Sequence, residues 1–330
     1  MSTKRLFVLC SMVLAIGALS AWKLGAAGNA TARAVRIIQT NSAGDSVHVI
    51  DPVTNKVVGV IEGIEVNHGA AVAPDGSRIY ISDEAQSTLD IVDAKTLKVT
   101  KRVPLSGHPN NVAVAPDGRR VYVAIAEAPG GVDVIDTASL MDLKTLQTKG
   151  PIHNPYVTPD GKYVVAGSIR GKSVNVIDTQ TDQTAWTLDM DLGVRPMTFS
   201  RNPDGSTKWI FVQLSDLNGF AVVDFATHKE IKRIHNPDLL PGKSKVTEGA
   251  DPSHGMAVTP DQNTLVVCSR ENNELISYSL PDLQVIGRAY LGGKGAAWVT
   301  LTPDGKTAYV ANAVTNNVSA VDVKSAISEK

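Results

Sequence analysis

From Val35 onward the chain is made of short apolar runs, rich in Val and Ile, separated by polar turn residues. The runs are too short for helices, and no 3.6-residue periodicity links them, so the pattern predicts strands. A turn motif punctuates them at Pro74-Asp75-Gly76, Pro116-Asp117-Gly118, Pro159-Asp160-Gly161, Pro203-Asp204-Gly205, Pro260-Asp261-Gln262 and Pro303-Asp304-Gly305. Proline presets φ, Asp bonds its own backbone, and Gly accepts a left-handed conformation, so each motif reads as a tight hairpin turn. The Asp residues are spaced by 42, 43, 44, 57 and 43 positions. A second signature marks another strand of each unit: Val49-Ile50-Asp51, Ile91-Val92-Asp93, Val134-Ile135-Asp136, Val176-Ile177-Asp178, Val222-Val223-Asp224 and Ala320-Val321-Asp322, with Ser277-Tyr278-Ser279 as a degenerate copy.

In the second unit the four expected strands are Asn111–Ala115, Arg120–Ile125, Val132–Asp136 and Leu143–Thr148. Four strands per repeat of this length is the blade of a β-propeller. Seven third strands predict an all-β, seven-bladed propeller of four-stranded blades. The pattern also holds a difficulty. The first blade begins at its second strand, Val35–Thr40, and little chain follows the last third strand. That leaves six inner strands against seven third strands, so a six-bladed or incompletely closed ring is the alternative.

Ala308-Tyr309-Val310-Ala311-Asn312 followed by Asn317-Val318-Ser319-Ala320-Val321-Asp322 resembles the YVTN-repeat, YncE-like propellers. The resemblance runs from Val35 to Val323 and implies the fold. Relatives by architecture include the haem d1 domain of cytochrome cd1 nitrite reductase and lactonases, so the fold alone implies no single activity.

The N-terminal stretch changes the picture. Lys4 and Arg5 precede an uncharged run from Leu6 to Leu19, followed by Ala18-Leu19-Ser20 and Ala30-Thr31-Ala32 as cleavage sites. Residues 1–32 therefore read as a signal peptide, or alternatively as an anchor over Leu6–Trp22, with 33–330 as a single propeller domain. A periplasmic or secreted location follows, with the membrane involved only through such an anchor. After cleavage Cys268 is the one remaining cysteine, which excludes an internal disulfide and any Cys-based metal motif. A formal charge of −1 without long basic runs gives no sign of a nucleic-acid surface. A monomer that meets a small molecule or a periplasmic protein is expected.

Candidate chemistry gathers where the inner strands begin. His68, His153 and His254 each stand seven residues before a turn Asp; His108 and Arg195 stand nine before theirs. Superposed repeats would bring three imidazoles to one height on alternate blades, as a three-His copper, iron or zinc site requires. The competing reading is structural: strand-start His residues that bond loop carbonyls. Arg195 suits a carboxylate or other anion, and His108 and Lys294 are the other ligand-binding candidates. The insertion from His235 to Asp251 should lie on the same face, as a lid or as a tolerated surface loop. The functional expectation is an exported binding protein with a ligand or partner site at the channel mouth. Alternatives are a metal-dependent oxidoreductase or lyase, like the His-lined copper propellers in architecture, and a haem d1- or quinone-associated redox protein.

Overall fold

A computed structural model describes residues 34–248 and 251–324. The proposed signal segment, its cleavage sites and the candidate anchor lie outside the described residues. From Val35 on, the chain forms one compact unit of seven antiparallel sheets, and no helix is found among the described residues. The sheets span residues 37–62, 67–104, 109–146, 154–189, 194–235, 253–290 and 296–322, and are here called blades 1 to 7. The six-bladed alternative is thereby excluded. Blade 3 shows the fit of pattern to strand: Pro109–Val114, Arg120–Ile125, Gly131–Asp136 and Met141–Leu146.

Position within a blade follows composition. The third strands of blades 2 to 6 are almost wholly buried, as in Thr88–Asp93 and Gly131–Asp136, because both of their faces meet neighbouring blades. The outer strands, such as Lys98–Pro104, alternate with water and carry the lysines. The core is divided among the blade interfaces rather than gathered at one centre. Val165, Val174 and Val176 of blade 4 pack on Val194, Ile210 and Val212 of blade 5. Phe211 and Phe220 of blade 5 then pack on Leu265 and Val267 of blade 6.

The two end blades each have three strands. Blade 1 has no inner strand and blade 7 no outer strand among the described residues, so six inner strands face seven third strands. The ends meet through side chains. Ile37 and Ile50 cluster with Tyr309, and the Tyr309 hydroxyl donates to Asn55 Oδ1 at 2.5 Å.

The Pro-Asp-Gly turns form one end of the ring. Pro74 Cδ lies 3.4 Å from where a Cβ on Gly118 would sit, and Pro116 and Pro260 stand in the same way against Gly161 and Gly305. Each turn Asp acts on its own turn: Asp117 Oδ1 accepts from the Arg119 amide at 3.0 Å, and Asp304 Oδ1 from Lys306 N and Thr302 Oγ1. The chain therefore enters every inner strand from the opposite end, and the candidate residues lie there.

Candidate functional site at the ring mouth

A repeated backbone irregularity aims side chains at the mouth. The register of the inner strand shifts at its start in five blades; in blades 2, 5 and 6 the shift falls between Asn67 and Ala70, Val194 and Met197, and Ser253 and Met256. A bulge redirects the residues it contains. The residues so placed are His68, Arg195 and His254. In blade 4, His153 stands just before the strand Asn154–Val157, its amide bonded to Gly167 O at 2.9 Å. Glycine follows two of the imidazoles for a packing reason. A Cβ on Gly69 would meet Asn111 Cα at 2.6 Å, and one on Gly255 would meet Trp298 Cα at 2.7 Å. Adjacent inner strands come that close around the axis.

His153 lies against both of the other imidazoles. The ring centroids of His68 and His153 are 6.4 Å apart, and those of His153 and His254 are 6.1 Å apart, both pairs edge to face. Each Nδ1 is held by an oxygen that can only accept. Glu84 Oε1 lies 2.6 Å from His68 Nδ1, Asn154 Oδ1 bonds His153 Nδ1, and Ala297 O lies 2.8 Å from His254 Nδ1. The Nδ1 proton therefore points at an oxygen in each ring, and in neutral His153 and His254 the Nε2 keeps its lone pair. Such an oxygen partner fixes the tautomer and orientation of metal-binding His residues. Burial pushes the His153 pKa down to about 4, with the charges of His68 and Arg195 adding to it. Burial, then the nearby His153, takes His254 lower still. Both rings are neutral at pH 7.

Among the described residues, no three His, Cys, Asp or Glu side chains already stand close enough to hold an ion. Three imidazoles bonding one metal at about 2.1 Å set their centroids roughly 5 Å apart. The two observed spacings, both to His153, are about 1 Å wider than that, which rotamer adjustment at a strand start can close; one ion on all three rings also requires His68 and His254 to approach each other.

The other candidates separate. His108 Nε2 lies 3.6 Å from Glu84 Oε2, so Glu84 stands between His108 and His68. Arg195 is not equivalent to His108, although both stand nine residues before a turn Asp. The inner and second strands of blade 5, Val194–Arg201 and Thr207–Leu214, are each two residues longer than those of blades 2 and 6, which moves Arg195 into the slot of His68 and His254. Its Nη1 pairs with Asp251 Oδ2 at 2.8 Å, and its Nε donates to Ser215 Oγ at 2.9 Å. Lys294 is exposed in the loop entering Ala296–Leu301, where its amide donates to Thr315 Oγ1.

The insertion is tied to the rim rather than projecting from it. Val246 N donates to Glu271 O, Lys245 pairs with Glu271, and Asn272 Nδ2 donates to Pro237 O. A pocket of about 290 Å³ lies between it and the rim, lined by Lys245, Thr247, Asp251 and Glu271 among others. Residues 249 and 250 lie outside the described residues.

Glu84, Ser215 and Asp251 were not among the sequence candidates. Glu84 had a readable signal, since it stands nine residues after a turn Asp, where the second strand ends. Asp251 had none, because its role depends on how the insertion folds back.

Three comparisons bear on this arrangement. Residues 131–327 match the family described as "Lactonase, 7-bladed beta-propeller". The coarser part of the YVTN resemblance, a propeller family, thus holds. No curated protein matches the chain in sequence. Among solved structures, a chain titled "Kuenenia stuttgartiensis Hydrazine Synthase" superposes with a TM-score of 0.75 at 22% identity, covering 87% of this chain and 92% of that one. At that identity the likeness is one of fold.

Proposed function

Because the chain belongs to the lactonase family of seven-bladed β-propellers, we propose that it binds a small ligand at the His-bearing mouth, with a transition-metal ion seated on His68, His153 and His254. One observation carries the reading. His153 stands edge to face with both His68 and His254, at 6.4 and 6.1 Å between ring centroids, and each of the three Nδ1 atoms is held by an oxygen. Imidazole donors suit copper, zinc or iron. Bound there, the ion supplies a Lewis-acidic or redox centre with a position open to the ligand. The chain's own part is orientation. Glu84, Asn154 and the Ala297 carbonyl fix the rings, and Arg195 stands beside them for an anionic ligand. The basic start at Lys4 and Arg5 and the uncharged run after it support export to the periplasm or beyond, with the ring acting as a monomer on a small molecule or a periplasmic protein. Within the family, the Val-Ile-Asp third strands support a YVTN-type repeat.

The test is metal analysis of the protein purified without an affinity tag. About one equivalent of copper, zinc or iron is expected, and His153→Ala should remove it while leaving the ring folded. Absence of bound metal, together with no binding in a zinc or copper titration, would overturn the metal centre. A second reading, ring opening of a lactone at the same mouth, is favoured by the family match over residues 131–327. Hydrolysis of simple γ- and δ-lactones that survives in His153→Ala would place that activity elsewhere.

A further inference from the structure

The rim carries a second chemistry that the imidazoles do not use. The residue after each second strand lies on the mouth side, next to the slot that holds His68, Arg195 or His254. In blades 3, 4 and 7 it is Ala126, Ile169 and Ala313. In blades 2 and 5 it serves the slot residue of its own blade: Glu84 holds His68, and Ser215 accepts from Arg195. In blade 6 it is Arg270, beside His254, and it is a cation. Its Nε is buried and has no hydrogen-bond partner among the described residues. A buried charged donor without an acceptor is costly to keep, and an anion would satisfy it.

The surroundings match. Arg270 is electrostatically coupled to Asp251 and Arg195, and both arginines act on His254. Arg195 already bonds Asp251, so two guanidiniums share one buried carboxylate. Asp216 acts on Asp251 from the exposed side. One guanidinium is left without a hydrogen-bonded counter-ion at the wall of the mouth. Glu84 lies on the other side, so the mouth is positive over blades 5 and 6 and acidic at blade 2.

We propose that Arg270, with Arg195 beside it, binds the carboxylate of a small ligand at the mouth next to His254. The guanidinium fork fits a planar carboxylate in two parallel hydrogen bonds, and Asp251 on Arg195 is an internal example of the anion this wall accepts. The proposal rests on the reading of the mouth as the ligand site, and it does not require the metal.

The experiment is calorimetric titration of the whole protein with succinate, and with inorganic phosphate for comparison, in chelator and after metal loading. Wild type should bind succinate saturably and more tightly than phosphate. Arg270→Gln should weaken succinate about tenfold or more, the usual scale for a lost charged hydrogen bond. Arg270→Lys keeps the charge, and with it the fold, but loses the fork, so it should bind with intermediate affinity. His153→Ala should lose metal and retain succinate. No saturable succinate binding, equal affinities in wild type and both Arg270 variants, or phosphate binding as tight as succinate would each overturn the proposal. Loss of succinate together with metal in His153→Ala would also overturn it, since the anion would then sit on the ion, and the metal reading would stand.

Discussion

Asp142 offers a quantitative check on the packing between strands. It lies in the outer strand of blade 3, half-buried, and its Oδ1 is buried without a hydrogen-bond partner among the described residues. The fully buried Asp133 of the third strand, opposite Thr145, acts on it electrostatically, its own oxygens taken by Ser106 and Thr145. Burial first, and the charge of Asp133 second, push the Asp142 pKa from 3.8 up to about 6. A carboxyl with a raised folded pKa favours the fold while protonated. That contribution is complete below the unfolded value near 3.8 and is lost as pH rises through about 6. At ~1.36 kcal/mol per pKa unit, the full cost at pH 7.5 is about 3 kcal/mol. Solvent reaches part of the side chain and screens it, which leaves ~1–2 kcal/mol. Asp142→Asn removes the charge and keeps the shape. Urea unfolding of both proteins should show the variant more stable by that amount at pH 7.5 and nearly equal to wild type at pH 4. A variant no more stable at pH 7.5, or one with the same pH slope as wild type, would refute the reasoning.

Three further outcomes are expected. Asp117→Ala removes the acceptor of the Arg119 amide and should cost about 1 kcal/mol in thermal or urea unfolding while leaving binding at the opposite face unchanged. Glu84→Gln, which weakens the hold on His68 Nδ1, should lower zinc affinity ~10–100-fold with little change in melting temperature, read by competition with a chromogenic chelator. Gly255→Ala places a Cβ 2.7 Å from the Trp298 backbone and should destabilise the ring by roughly 1–3 kcal/mol, since that strand cannot move aside as a side chain could.

The repeat in the sequence was enough for the architecture. Val-Ile-Asp strands and Pro-Asp-Gly turns are set by local chemistry: β-branched residues fill a surface buried on both faces, and Asp satisfies the turn amides. The count of seven third strands and six inner strands was legible for the same reason. So was the shared offset of His68, His153 and His254, because identical repeats place identical positions at one height. What the sequence could not decide lies where repeats depart from each other. Arg195 has the offset of His108 and occupies the slot of His254, because the first two strands of blade 5 are each two residues longer while the turn keeps its place. Asp251 meets Arg195 only because the insertion folds back on the rim. Arg270 is an unremarkable loop residue in the sequence; burial without a partner for its Nε gives it significance, and burial is a property of the closed ring. Among the described residues the two ends of the ring meet through Tyr309, Ile37 and Ile50, residues far apart in the chain, whose packing no local pattern could announce.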